Sequence, residues 1–578
     1  MAQSVQHDHS SSRIIHVVKG ICCQLSASKG LEWNKISICK RSRDLKDGEF
    51  VIPKGSTPKA IEETPSVLLE YLQSQLPCLC SVDLPVTCVD SDKYNHARLH
   101  VDRPNGFSNI IRQVGERGDN YGNCPHRSSH PTMLNPSDLL CINDDDFVAT
   151  PAHLRYLIVL QHVKHLLSAN GYLSHQVPVA RSTKLCDISA SLGLDSCQSA
   201  AEVSEDENRC HDILSKLRES QYTEQLVSLT KQKGDSEDVD ASSDRQHAVV
   251  INLRHFMDDN NIEAGKTGYD KNLSLVDVCH EDGPTDNVLH ISRLQEFVSQ
   301  KMESAVQMIH LVTETRAFTQ QQTDLLWRIA GVDGLVGQTH FVLGSVTGRS
   351  GQPCSKTAQE FIQLRLDQMR EASIMKYGDE VQGEGWETTL SGMSSASIAF
   401  EMLTTASRNS VKLDLSDEDR MGAENRAGAF VMYNCARLST LFTHFEDAVK
   451  KENPMSLGIY PPLPSIEDVT FEHLKQEEEW ELLFNYIYPY PDVVEQCVEK
   501  LAPSTGDIQA RIHTHKISNF LISFSRCLSS YYSRVHILGD GRPHLLPLMY
   551  ARLHLIRAAH QVIKNGLNLM GIQPFSQL

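Results

Sequence analysis

Much that would mark an enzyme, a secreted protein or a membrane protein is missing from these 578 residues. No apolar run reaches the roughly 18 residues that suggest a membrane span. The opening MAQSVQHDHSSSR has no basic start followed by an apolar stretch, so no secretory leader is expected and a cytoplasmic chain is. The 16 cysteines include no CxxC pair. Cys22-Cys23 are adjacent and Cys78 and Cys80 are two apart, neither of which is a zinc spacing. Reduced, mostly buried thiols are the expectation. The 26 histidines form no HExxH helix. Gly344, Gly348 and Gly351 follow a strand-like run, but the GxxxxGK[ST] pattern of a phosphate-cradling loop is absent. No glycine-rich turn of the kind that holds S-adenosylmethionine ends a strand. Neither metal nor cofactor is expected, and the chain is not expected to methylate a substrate by itself.

What is present begins with charge. The formal net charge of −18 argues against indiscriminate nucleic-acid binding. The average conceals an asymmetry. From Leu501 onward eight Lys or Arg face two acids, Asp507 and Asp540, so the tail carries +6 and the rest −24. A basic module on an acidic chain is the footprint of a local phosphate-binding surface.

Periodicity divides the chain. Residues 1–125 are weakly patterned, with a short amphipathic helix at 64–73 and a strand, a turn at Pro104-Asn105-Gly106 and an apolar stretch over 97–113. Residues 126–394 form an α/β body. There the helix-period run 152–169 stops at Asn170-Gly171, SHQVPVA reads as a strand, and VQMIHLV, TQQQTDLLWRIAG and THFVLGSV read as strand, helix and strand. Polar residues at about 198–246, with SEDEN and GDSEDVDASSD, read as a disordered or loosely helical acidic insertion. From 395 to 578 nearly everything is helical. Met549, Leu553, Ile556, His560, Ile563, Leu567 and Met570 recur at steps of four and three, so the last helix packs inside a bundle. Gly566 within it suggests close helix–helix approach.

Four blocks carry a resemblance: GAFVMYNCARLSTLF (428–442), EEEWELLFNYIYPYPDVVEQ (477–496), HKISNFLISFSRCLSSYYSRVHI (515–537) and ARLHLIRAAHQVIKNGLNLMGIQPFSQL (551–578). In this order they resemble the anticodon-binding domain of arginyl-tRNA synthetases, named for its DALR motif. FVMYNCARL, SSYYSRVHILG and RPHL look like a vertebrate group of synthetase relatives. That resemblance implies an adaptor that holds arginine tRNAs for a partner 3-methylcytidine tRNA methyltransferase, which acts at the start of the anticodon loop. In the synthetases the chain end lies near the anticodon, which would place Leu578 there. GFSNIIRQV is similar to the synthetase domain that touches the tRNA elbow.

The middle resembles a class I synthetase with its signatures lost. Aligned on His153-Leu154-Arg155, the HIGH signature reads Thr150-Pro151-Ala152-His153. The first histidine and the glycine are gone, so the pair of imidazoles that would steady leaving pyrophosphate and the glycine over which adenine would stack are not supplied. Glu314 and Ala317 precede Phe318 where the family has a Gln and a His. Pro353-Cys354-Ser355-Lys356 is all that stands where KMSK would be. The expected fold is therefore α/β plus all-α: a degenerate synthetase-like Rossmann body followed by a DALR-type helical bundle. The expected function is a noncatalytic tRNA-binding adaptor. An active synthetase with atypical signatures and a structural protein that has lost RNA binding are the alternatives.

Exposed cations with aromatics between them can neutralise phosphates and stack on unpaired bases. The candidate tRNA-binding residues are Tyr433, Arg437, Lys516, Arg526, Tyr531, Tyr532, Arg534, Arg552, Arg557 and Lys564. Among them Tyr531 also falls on the buried stripe Ile517, Phe520, Phe524, Cys527.

Overall fold

A computed structural model of the chain describes residues 12–575 apart from 29–36, 55–64, 81, 126–129, 141, 143–146, 180–181, 196–206, 226–248, 281–282, 302–304, 332–334, 379–383, 416–425, 451–459, 502–506 and 540. Near the N-terminus, β1 (Cys39–Lys40), β2 (Phe50–Ile52), β3 (Val86–Ser91) and β4 (Ala97–Val101) form an antiparallel sheet in the order β1-β2-β4-β3. Ala97, Leu99 and Val101 alternate inward, the period-2 pattern of a half-buried strand. Helices α1 (Ser12–Ser28), α2 (Pro65–Ser74) and α3 (Arg103–Arg117) add apolar side chains to the same core. The turn expected at Pro104-Asn105-Gly106 is instead the first turn of α3. The Asp102 carboxylate accepts from the Asn105 amide at 3.1 Å, and proline in a first turn has no amide bond to lose.

The middle of the chain is built on a parallel sheet in the order β12-β11-β5-β6, from β5 (Thr132–Pro136), β6 (Ser174–Gln176), β11 (Val306–Thr313) and β12 (Leu335–Leu343). All but the last residue of β11 is buried, as a strand covered on both faces must be. Helix α4 (Pro151–Ala169) is buried around most of its circumference and stops at Asn170, where Gly171 takes a φ of 76°. Between β6 and β11 an antiparallel sheet, β10-β9-β8-β7, comprises β7 (Thr223–Gln225), β8 (Val249–Asn252), β9 (Leu275–His280) and β10 (Gly283–Pro284), with α5 (Glu207–Arg218) and α6 (Asp286–Lys301) sharing its core. Residues 207–225 of the expected disordered insertion are thus ordered as α5 and β7, because Cys210, Ile213, Leu214 and Leu217 are buried. The rest of that segment lies outside the described residues. The predicted strand–helix–strand is β11, α7 (Ala317–Ile329) and β12.

The chain then runs through α8 (Ala358–Tyr377), α9 (Glu384–Leu403), α10 (Ala427–Lys450), α11 (His515–Arg534) and α12 (Leu546–Leu569), with the short strand pairs β13 (Val346–Gly348)/β14 (Val411–Leu413) and β15 (Val498–Lys500)/β16 (Arg511–Ile512) between them. Residue 395, where the helical part is expected to start, lies within α9. The α12 stripe is core, and Gly566 has the expected reason: a Cβ there would sit 2.7 Å from Leu521 of α11.

Two devices join the halves. Residues 508–510, just before α11, add to the free edge of β12: the His340 amide donates to the Ile508 carbonyl at 2.6 Å and the Ala510 amide to the His340 carbonyl at 3.0 Å. Ile508 is buried within the α/β core. Behind them, His162 of α4 lies between the Leu569 carbonyl of α12, 2.6 Å from Nδ1, and the Thr514 carbonyl before α11, 3.1 Å from Nε2.

Candidate nucleic-acid interface

Helix α10 places Tyr433 and Arg437 one turn apart, on the same face. Both are partly exposed. The Arg437 guanidinium lies 3.8 Å from the centre of the Tyr532 ring of α11, and Lys376 Nζ of α8 lies 4.0 Å from the Tyr433 ring. On another flank of α10, the Arg557 guanidinium of α12 lies 5.5 Å from the Phe442 ring. Beside it His560 Nε2 is 3.1 Å from Ser439 Oγ. Burial, helped by the Lys564 charge one turn on, pushes His560 down to about 4, so the cations in this patch are Arg557 and Lys564. Among the described residues Arg437, Arg526, Arg557 and Lys564 make no ion pair.

The candidates on α11 are not brought together. At about 100° per residue, Arg526 is at the solvent pole opposite the buried stripe. Lys516 and Arg534 lie on one flank and Tyr532 on the other. Lys516 donates to the Gln496 carbonyl at 2.9 Å and lies 3.7 Å from Glu499. Arg534 pairs with Glu478 at 3.0 Å. Both cations are partly neutralised within the fold.

Two candidates are corrected outright. Tyr531 is 1 % exposed, and its hydroxyl donates to Glu479 Oε1 at 3.1 Å. Arg552 donates to the same oxygen at 2.8 Å. Glu479 is wholly buried, and such a carboxylate needs its partners inside the protein. Tyr531 and Arg552 therefore serve the core, and no base can reach the Tyr531 ring. Burial, then the Glu479 charge, raises the Tyr531 phenol. The Glu479 partnership was hidden because EEEW reads as an exposed acidic run. Lys376 escaped the sequence reading because its helix lies outside the basic tail.

At the start of α4, His153 and Arg155 turn polar groups toward the protein's own backbone. The Thr150 amide donates to His153 Nδ1 at 3.0 Å, and the Phe147 ring meets the imidazole edge-on at 5.0 Å. Burial lowers the His153 pKa. Arg155, 1 % exposed, donates to the carbonyls of Gly344 (2.6 Å), Ser345 (3.3 Å), Ala406 (3.4 Å) and Ser407 (3.0 Å). Burial, only partly offset by the Glu314 charge, pushes its pKa down to about 10. Among the described residues no group of three or more His, Cys, Asp or Glu is arranged to hold a metal ion.

On the N-terminal sheet, a groove of about 580 Å³ is lined by Arg41, Lys93, Tyr94, His96 and Arg98 together with Asp47 and Asp92. Tyr94, at the β3–β4 turn, is 63 % exposed, with Lys93 Nζ 5.0 Å from its ring.

Comparison with known proteins gives this arrangement its context. Residues 431–578 match the DALR anticodon binding domain. In fold the chain is similar to the arginyl-tRNA synthetase of Plasmodium falciparum, with a TM-score of 0.60 at 10% identity, over 99% of this chain and 100% of that one. In sequence it is 39% identical over 272 residues to the mouse (Mus musculus) DALR anticodon-binding domain-containing protein 3, covering 47% of this chain and 49% of the mouse protein. It is 31% identical over 460 residues to the zebrafish (Danio rerio) protein of the same name, covering 79% of this chain and 77% of that protein. A synthetase-like α/β body, a DALR helical domain and this degree of identity together make the chain a member of the DALR anticodon-binding domain-containing protein 3 family.

Proposed function

We propose that the chain is a noncatalytic adaptor that binds arginine tRNAs through its helical half and presents them to a partner 3-methylcytidine tRNA methyltransferase. The observation that carries the tRNA part is the placement of Arg437 on Tyr532 and Arg557 beside Phe442, with no carboxylate among the described residues paired to either cation. A guanidinium resting on a ring keeps its other face for an unpaired base and its donors for phosphate. The noncatalytic part is supported by His153 Nδ1 and by Nη1 and Nη2 of Arg155, which are engaged with backbone. The N-terminal groove with Tyr94 and Lys93 would touch the tRNA elbow. The methyltransferase rests on the sequence resemblance alone.

The test is a binding titration with arginine tRNAs and unrelated tRNAs across a salt series. A preference that persists as salt rises supports reading of the anticodon region. Equal, weak binding that collapses with salt overturns it. ATP–pyrophosphate exchange by the purified chain would restore the alternative of an active synthetase. Stimulation of a 3-methylcytidine methyltransferase on arginine tRNA by added chain tests the adaptor role directly.

A further inference from the structure

The row of ring-backed cations is not confined to the helices of the matched domain. Lys376, Tyr433, Arg437 and Tyr532 form a row across α8, α10 and α11 in which cations and rings alternate, with each cation at 4.0 Å or less from its ring. The outer member, Lys376, stands at the C-terminal end of α8, ahead of residues 431–578. It is exposed, whereas Tyr433, Arg437 and Tyr532 are partly buried.

The two cations suit different partners. A guanidinium is planar and can continue a stack from a ring to a base. An ammonium is a compact point charge with three donors, suited to a phosphate oxygen and indifferent to base identity. An unpaired loop offers both, since a base splayed onto Arg437 carries its own backbone phosphate a short distance away. The ring of Tyr433 holds the Lys376 ammonium close to the surface, so less side-chain freedom is lost on binding.

We propose that Lys376 is a phosphate contact for the single-stranded loop whose bases stack at Arg437 and Tyr532, and that a helix ahead of the matched domain thereby supplies part of the RNA grip. This rests on the tRNA-binding reading above. The probe is a synthetic arginine anticodon stem-loop alongside full-length arginine tRNA and an unrelated tRNA, titrated over a salt series with the full chain. One phosphate contact accounts for a slope of about 0.7 in log K against log salt for a single strand. Lys376→Gln is therefore expected to flatten the slope by about that amount and to weaken all the RNAs alike. Lys376→Arg is expected to keep both slope and affinity, and the far-ultraviolet circular dichroism of each variant should match the parent. If Lys376→Gln keeps the parent's affinity and slope while Arg437→Ala weakens binding, this inference is overturned and the tRNA-binding reading stands. If neither substitution changes binding, both fall.

Discussion

Two guanidinium groups summarise how differently the two halves of the molecule treat charge. Arg155, in the α/β half, is sealed in and spends its donors on four backbone carbonyls. Arg437, in the helical half, is partly exposed, rests on a tyrosine ring and meets no acid among the described residues. Arg155 holds two loops to a helix, and nothing outside the protein can reach it. Arg437 touches a ring rather than backbone carbonyls, and the proposed function gives its charge to a partner. A cation's neighbours, and not its presence in a basic stretch, separate charge spent within the fold from charge left exposed here. Lys516, Arg534 and Arg552 sit in that same basic stretch and are tied to Glu499, Glu478 and Glu479.

The comparison can be broken at its buried end first. Arg155→Met should destabilise the chain by about 3 kcal/mol, because the buried Gly344 carbonyl loses its donor at about 1–3 kcal/mol and three part-buried carbonyls lose theirs as well. Urea denaturation measures this, and an unchanged midpoint would mean that the guanidinium is dispensable to the fold.

Acid provides the next test. Burial pushes His162 down to about 4 and both His290 and His310 down to about 3. Each binds its proton more weakly folded than unfolded, where the usual value is about 6.5. The unfolded chain therefore takes up more protons once the pH drops below about 6.5, and stability should fall steadily from there towards pH 4. The slope is up to about 1.4 kcal/mol per pH unit for each histidine. Equal urea midpoints at pH 7 and pH 5 would contradict the burial of these rings.

The exposed end gives the smallest and most selective effect. Arg437→Ala should weaken tRNA binding by about 1–3 kcal/mol, roughly five- to 150-fold, with stability nearly unchanged. Arg534→Ala, which removes a cation already paired to Glu478, should cost less than a third of that in binding free energy. Equal losses from the two substitutions, read by the same titration, would show that bulk charge and not the ring-backed cation governs affinity.

How much of this was legible beforehand depended on whether a residue's partner lay nearby in the chain. The α4 and α12 helices and the strand–helix–strand of β11, α7 and β12 followed from local periodicity, because one helix or strand carries its own pattern. The burial of Tyr531 was foreshadowed by its place on the apolar stripe. Its hydroxyl partner Glu479 lies 52 positions away and could not be inferred from α11 alone. The scatter of Lys516, Arg526 and Tyr532 around one helix was computable from spacing, but which flank met acids was not. Lys376 left no local signal, since its value comes from a ring 57 positions further on. The first turn of α3 was misread because Pro-Asn-Gly suits both a turn and a helix start, and the deciding group is the Asp102 side chain before it.

The β-bridge at residues 508–510 bears on how separable this protein is. Those residues belong by sequence to the matched DALR domain and by hydrogen bonding to the sheet edge at β12. A fragment cut at residue 431 would carry an apolar Ile508 with no core to enter, and would leave β12 with an unpaired rim. The unit of sequence similarity and the unit of mechanical integrity therefore do not coincide. A pull on the helices of the matched domain is borne directly by the backbone of the synthetase-like sheet at β12.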